Sequence, residues 1–420
     1  MKFYLIGIKG SGMAALASLL DDQGYEVNGS DVFSKCLTDE KLLKRGIHVY
    51  KLEDKEYLKA DVIIVGHDFY KQNLLDELKN NKKIYFEYHK FLNFYLDKNK
   101  LISICGSHGK TTLVNLLSLI DKDNSYLRGD GEGKINDFSK FFFLESCEYK
   151  NHFLEYNPQE IIITNIDFDH VDFFKSKKDY DKSFRLFAEK SNKVYINYSD
   201  RKKINHKNIV TFGKNKKADY SYKIFTKLNG YIYTSFYHEN DLLVDLEIKD
   251  YGENFIQLIT ALIAFMSENK IPLIDLENKL KKYIPASQRF EEILIGENVV
   301  INDYAHHPKQ ILNNYKIVSK KYEKHIKIAL FRGDRFSRIY HFKREIKSAL
   351  KKFDKAYILP LPNMEENKGK SSKILEEKKI KYIENIHQIE FEFLGIKKYS
   401  ISLMSSKPFI DEIEYLKSIF

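Results

Sequence analysis

The sequence predicts an α/β protein of three domains, residues 1–99, 100–286 and 287–420, built on mostly parallel, doubly wound sheets. Three observations carry this. Apolar strand-like runs alternate with helical stretches across short connections. Two of those strands, "FYLIGI" and "LISIC", run straight into glycine turns that open helices. At 420 residues the chain is long enough for two or three separate cores.

Taken in order, the first segment reads as strand "FYLIGI", a glycine loop, helix "MAALASLLDDQG", then strands "YEVNGSD", "DVIIVG" and "KIYFEY". The second opens with "LISICGSHGKTT" and continues through strands "FFFLES", "EIIITNI" and "KVYINY". Its later part, "YSYKIFTKLNGYIYTSFYHENDLLVDLEIK", alternates as antiparallel strands do, and "ENFIQLITALIAFMSENK" reads as a buried helix. The third places "NVVINDYA", "HIKIALF", "KAYILPL", "KYIENI" and "YSISLM" as strands between helices. Lys/Glu-rich stretches such as "SSKILEEKK" read as solvated faces.

Composition excludes several classes. The formal net charge is +10, yet only nine of the 69 basic residues are Arg, and the lysines lie scattered beside acids. There is no basic block, zinc-finger spacing or aromatic RNA-binding signature, so nucleic acid is not expected as a partner. Attraction for an anionic nucleotide substrate fits the charge better. No apolar stretch approaches the ~20 residues that span a bilayer, so membrane insertion is not expected. The first apolar run is short and reads as a buried strand and not as a signal peptide. Cys36, Cys105 and Cys147 are too few and too scattered for a disulfide framework, which points to a reducing, cytoplasmic setting. The sequence leaves the oligomeric state open.

Four constellations carry chemistry. In "GSHGKTT", Gly106, Ser107, His108, Gly109, Lys110, Thr111 and Thr112 lie between a strand and a helix. Free backbone N–H groups and the helix dipole converge there, which makes an anion site. Lys110 would meet the β- and γ-phosphates, and Thr111 would offer its hydroxyl to Mg²⁺. The loop is shorter than the common phosphate loop, with Ile104 where that motif has its first glycine.

In "GIKGSGM", Gly7, Gly10 and Gly12 mark the first strand-to-helix turn, with Ser11 and Met13 beside them and Ser30 and Asp31 at the next strand end. The spacing is G-x-x-G-x-G, which weakens a dinucleotide reading. A nucleotide sugar or nucleotide diphosphate fits as well as NAD. Two further strand ends in the second segment release Glu145 and Glu148, then Asn165, Asp167, Asp169, His170 and Asp172. One carboxylate and one hydroxyl suit Mg²⁺, whereas imidazole is not a favoured Mg²⁺ ligand. In the third segment "NDYAHHP" sets Asp303, His306 and His307 before Pro308, a residue suited to the first helical turn. Four of the nine Arg fall within residues 332–344, where Arg332, Arg335, Arg338 and Arg344 suggest bidentate recognition of carboxylate or phosphate.

"GIKGSGM", "GSHGKTT", "LESCEYKNHF", "TNIDFDHVD" and "DYAHHP", in that order, resemble the Mur ligases, with "QRFEE", "FRGDRFSR" and "PNMEENKG" as looser matches. The resemblance implies a Rossmann-like UDP-sugar-binding domain at 1–99, a central ATP-binding P-loop domain at 100–286 and a C-terminal Rossmann-like amino-acid-binding domain at 287–420. It implies ATP and Mg²⁺ as cofactors and UDP-N-acetylmuramate and L-alanine as substrates. The lactyl carboxylate would be phosphorylated to an acyl phosphate and then attacked by the amine, a step of peptidoglycan precursor synthesis. By the same resemblance Lys110 and Thr111 hold the γ-phosphate and metal, and Glu145 and His170 complete the metal positions. Gly10, Ser11, Gly12 and Met13 lie at the UDP turn, and Asn254 lies near adenine. His306, Arg335 and Arg338 position the substrate carboxylates and the amino acid. The sequence departs from the family pattern at Glu253, Gln257, Gln288 and Asp334, and lacks the usual C-terminal glycine motif. These departures fall at the ATP and amino-acid ends of the site, and they keep two alternatives open: a relative with an altered amino-acid preference, or one with a non-catalytic UDP-sugar-binding role.

Overall fold

The computed structural model describes residues 1–32, 35–228, 230–361, 365, 368–389, 391 and 397–420. It is an α/β structure with three sheets, one confined to each of the three predicted segments. Pro362, Asn363, Met364, Glu366 and Asn367 of "PNMEENKG" lie outside the described residues.

The first sheet holds β1 (Lys2–Ile6), β2 (Glu26–Ser30), β3 (Val49–Tyr50), β4 (Val62–Val65) and β5 (Ile84–Glu87), all parallel, in the order β3-β2-β1-β4-β5. The run "MAALASLL" is buried throughout because the helix Ser11–Asp22 lies on the sheet. β2 and β4 flank β1 on opposite sides, so the turn after β1 sits where the strand order reverses. That is where open α/β sheets bind ligands.

The second sheet contains β6 (Leu101–Cys105), β7 (Ser125–Leu127), β8 (Gly133–Lys134), β9 (Phe142–Glu145), β10 (Glu160–Ile163), β11 (Lys193–Asn197), β12 (Ile209–Gly213), β13 (Tyr220–Leu228), β14 (Tyr231–His238) and β15 (Asp241–Lys249). Its order is β15-β14-β13-β12-β11-β10-β6-β9-β7-β8. β13 and β14 pair antiparallel, as their alternation predicts. β9 and β10 flank β6, again placing a glycine loop at a reversal of strand order. The β7–β8 hairpin was not legible in the sequence, because its strands are only three and two residues long.

The third sheet contains β16 (Glu291–Ile295), β17 (Asn298–Asp303), β18 (Ile326–Phe331), β19 (Lys355–Ile358), β20 (Ile380–Tyr382) and β21 (Tyr399–Met404), in the order β16-β17-β21-β18-β19-β20. Among the described strand pairs of this sheet, β16–β17 is antiparallel and the others are parallel. Pro308 takes the first position of the helix Pro308–Lys321, as expected.

The chain packs as two compact units. One comprises Met1–Phe168, Lys177–Ile248 and Ile256–Tyr283; the other comprises Asp169–Ser176, Lys249–Phe255 and Ile284–Phe420. Within the first unit, the helix Ser11–Asp22 lies against the β7–β8 hairpin. A side chain at Gly133 would overlap the Ala15 carbonyl, so glycine allows that approach. Lys41 adds polar contacts, donating to the Asp130 carbonyl at 2.8 Å and pairing with Glu132 at 2.9 Å.

Candidate active site

The phosphate loop is shaped by the end of β10. Gly106 has φ +129°, and a Cβ there would overlap Thr164 Oγ1, so only glycine fits. Ser107 N donates to the Asn165 carbonyl at 3.1 Å, and its hydroxyl donates to the Asp167 carbonyl at 2.6 Å. His108 N donates to Asn165 Oδ1 at 3.1 Å, while Thr164 Oγ1 donates to the His108 carbonyl at 2.6 Å. Gly109, in the left-handed region, is the N-cap of the helix Lys110–Ser118, and no side chain caps that terminus. The first-turn N–H groups, which lack intrahelical acceptors, are thus offered to an anion.

Lys110 folds back over this loop. Its ammonium donates to the Gly106 carbonyl at 2.5 Å and to Glu148 Oε2 at 3.0 Å. Glu148 is fully buried. Burial works against the Lys110 charge, but Glu148, then Cys147 and Glu145, outweigh it and hold its pKa above the ordinary lysine range. Lys110 is therefore a fixed cation.

Thr111 Oγ1 donates to Glu145 Oε1 at 3.1 Å, and Gly129 N donates to Glu145 Oε2 at 2.7 Å. A hydroxyl and a carboxylate oxygen thereby converge beside the loop. Such hard oxygen donors fit Mg²⁺, whose other positions are filled by water and phosphate oxygens. Among the described residues, no group of three or more His, Cys, Asp or Glu gathers to hold a metal. Gly129 lies against this carboxylate: a Cβ there would overlap both Glu145 oxygens. Gly129→Ala should push the flexible carboxylate away from Thr111 while leaving the fold intact. The expected result is a rise of about tenfold in the Mg²⁺ or Mn²⁺ concentration needed for half-maximal activity, with little change in thermal midpoint. An unchanged metal requirement would remove Glu145 from the metal site.

At the first glycine turn, Gly7 N donates to the Ser30 carbonyl at 2.8 Å, and Gly10 N to the Gly7 carbonyl at 3.1 Å. Asp31 closes the turn by accepting from Lys9 N at 2.7 Å. The Ser30 side chain is buried, so its contribution here is its carbonyl. Gly10 caps the helix that starts at Ser11 without a side-chain partner, and Met13 is buried beneath. At Gly12 a Cβ would stand 2.6 Å from the Tyr88 hydroxyl.

In the second unit, Arg338 is buried and grips Asp169 with two bonds, Nε to Oδ1 at 2.8 Å and Nη2 to Oδ2 at 3.3 Å. Its Nη1 donates to Asp334. Arg335 pairs with Asp172. Asp169 also accepts from His170 N at 2.7 Å, and His170 lies in the left-handed region at φ 52°. His306 Nδ1 sits 2.9 Å from the Tyr304 carbonyl, which assigns the proton to Nδ1 and leaves Nε2 as an acceptor. Burial and then the Arg338 charge lower the His306 pKa to about 4. Asp334 falls to about 2, because His306 and Arg338 outweigh its burial. His307 caps the helix Pro308–Lys321, accepting from Lys309 N at 3.4 Å. Asn254 lies in the first turn of the helix Glu253–Glu268, after Glu253 and one turn before Gln257.

The structure thus brings together Lys110, Thr111 and Glu145 in one unit, and His306, Arg335 and Arg338 with the His170 segment in the other. Gly129 is absent from the sequence-based candidates, and Glu148 stands there only as a strand-end acid and not as the buried partner of Lys110. The signal for Gly129 was "RGDGEGK", three glycines within seven residues of a chain that has only 19.

Two family models match the chain: the Mur ligase family catalytic domain over residues 2–97 and the Mur ligase middle domain over residues 133–266. The UDP-N-acetylmuramate–L-alanine ligase of Lactobacillus helveticus is 33% identical over 371 residues, covering 86% of this chain and 85% of its own length. The ligase of the same name from Lactiplantibacillus plantarum is 31% identical over 367 residues, covering 85% and 84%. Among solved structures, the UDP-N-acetylmuramate-alanine ligase of Thermotoga maritima superposes with a TM-score of 0.83 at 20% identity, covering 100% of this chain and 99% of its own.

Proposed function

The chain belongs to the Mur ligase family, and we propose that it joins L-alanine to the lactyl carboxylate of UDP-N-acetylmuramate at the expense of ATP. The observation that carries this reading is the fixed Lys110 ammonium over a helix N-terminus, beside the converging Thr111 and Glu145 oxygens. Phosphoryl transfer to a carboxylate brings two anions together, and such a site supplies the neutralising charge. Likeness to two curated alanine ligases over most of their length supports the choice of substrates.

In this reading the three segments divide the work. Residues 1–99 hold the sugar nucleotide at Gly10, Ser11, Gly12 and Met13, where the uncapped helix receives its diphosphate. Residues 100–286 hold ATP at Gly106–Thr112, and residues 287–420 hold the amino acid. Lys110 orients the γ-phosphate and balances charge on it as it moves to the lactyl carboxylate. Thr111 and Glu145 would hold Mg²⁺; when bound, the ion neutralises phosphate charge. The alanine amine then attacks the acyl carbon and phosphate leaves. Arg335, whose pair with Asp172 is partly exposed, is the guanidinium best placed to exchange that partner for the substrate carboxylate. Among the described residues no helix is long and apolar enough to cross a membrane.

The test is phosphate release from ATP and Mg²⁺ with UDP-N-acetylmuramate, with and without L-alanine, glycine or L-serine. Release should require the sugar nucleotide together with L-alanine. A second reading, an altered amino-acid preference, is favoured by Asp334, which binds Arg338 where the family pattern has histidine. It predicts release with glycine or serine above that with alanine. No release with any of the three would overturn both.

A further inference from the structure

A line of side chains in the first unit is used by none of these roles. His67 Nε2 lies 2.9 Å from Lys150 Nζ. The His67 ring is 4.7 Å from that of His152, which stacks on His89 at 4.2 Å. His89 Nδ1 meets the Tyr156 hydroxyl at 2.6 Å. The line starts at the surface, where His67 is exposed, and ends at His89, which is buried. Among the described residues no carboxylate pairs with Lys150, although the chain is rich in Lys–acid pairs. Its backbone is also unusual. Lys150 and Asn151 both occupy the left-handed region, at φ 51° and 62°, and Ser183 holds the Asn151 side chain at 2.5 Å. Two consecutive non-glycine residues in that region are costly and need a surrounding structure that fixes them. Here the outcome is an ammonium set against an imidazole.

The surroundings say what such a group could receive. His67 follows Gly66, whose Cα lies 3.8 Å from where a Cβ on Gly7 of the first glycine turn would stand. The Tyr88 ring packs edge-on against His89 at 4.8 Å, and its hydroxyl lies under Gly12 of the same turn. Among charged groups Glu145 acts most strongly on the Tyr88 hydroxyl, whose pKa is raised mainly by burial, and Lys150 comes two residues after Glu148, the partner of Lys110. The line therefore runs beside the glycine turn and toward the phosphate loop, with three imidazoles and one ammonium. We propose that His67 and Lys150, backed by His152 and His89, bind an oxyanion of the sugar-nucleotide substrate, its diphosphate or the carboxylate on its sugar. This rests on the ligase reading above.

Calorimetric dissociation constants for uridine, UDP-N-acetylglucosamine and UDP-N-acetylmuramate test it in the full chain. The variants are His67→Ala and Lys150→Asn, the latter because asparagine tolerates the left-handed backbone, with Lys150→Arg as the charge-keeping control. Loss of one charge-assisted hydrogen bond should weaken binding about tenfold, and Lys150→Arg should recover most of it. Weakening of both sugar nucleotides assigns the diphosphate; weakening of UDP-N-acetylmuramate alone assigns the carboxylate; uridine should be unaffected in either case. Wild-type-like constants for both sugar nucleotides in folded variants would overturn the proposal and leave the ligase reading standing. A wild-type protein that binds neither would overturn the ligase reading and this proposal with it.

Discussion

Lys110→Ala is expected to lower ATP-dependent phosphate release by about 10²–10³-fold, the usual cost of removing one preorganised group that stabilises transition-state charge. The single variant also has a structural effect that must be separated from this. Glu148 is fully buried and Lys110 is its counter-ion at 3.0 Å. Deleting one partner of a buried pair typically costs about 3–5 kcal/mol, because the other charge is left uncompensated. The variant should therefore unfold at a lower temperature as well as turn over slowly. Lys110→Ala/Glu148→Gln removes that complication: the glutamine is neutral, so most of the lost stability should return. If activity stays low while the thermal midpoint recovers, Lys110 acts on the phosphate. If phosphate release recovers together with stability, the lysine serves only to neutralise Glu148, and the phosphate-loop reading fails.

The parts of the fold and site that were legible share a physical cause. The strands β1, β6 and β10 are fully or nearly fully buried apolar runs that end in glycine or polar loops, so their sequence states both their conformation and where it stops. Glu145 was legible because it ends such a strand. Its immediate partner Gly129 was not, since it sits in a loop whose only signal is glycine content. Glu148 was visible as an acid at a strand end, but that it is buried against Lys110 depends on how the segment Tyr149–Glu155 folds back, which local sequence does not state. Arg338 shows the same limit. Arginine in a lysine-rich chain marked it as a bidentate partner, which it is, but the carboxylates it holds belong to the protein itself. The alternating apolar pattern that reveals a strand carries no information about a pair 169 residues apart in the chain.

That intramolecular use of Arg338 leads to a second large expected effect. Arg338→Ala should destabilise the second unit by about 3–5 kcal/mol, because the side chains of Arg338 and Asp169 are only 5% and 3% exposed and Asp334 shares the same guanidinium. Arg335→Ala should cost no more than about 1 kcal/mol, since its pair with Asp172 is partly solvated and screened. Function should separate in the opposite direction. Arg335→Ala is expected to raise KM for the amino acid with stability nearly unchanged, whereas Arg338→Lys should cost stability and, on the metal role that the family resemblance implies for His170, disturb the metal requirement, because Asp169 also accepts from the His170 backbone. A lysine keeps the charge but cannot make the two parallel bonds to Asp169. Urea unfolding of the three variants, set beside their KM for alanine and their Mn²⁺ dependence, resolves the roles. Should Arg338→Lys keep full stability and metal dependence while KM for the amino acid rises, the guanidinium would be free to bind substrate, and its grip on Asp169 would not be what it contributes to the reaction.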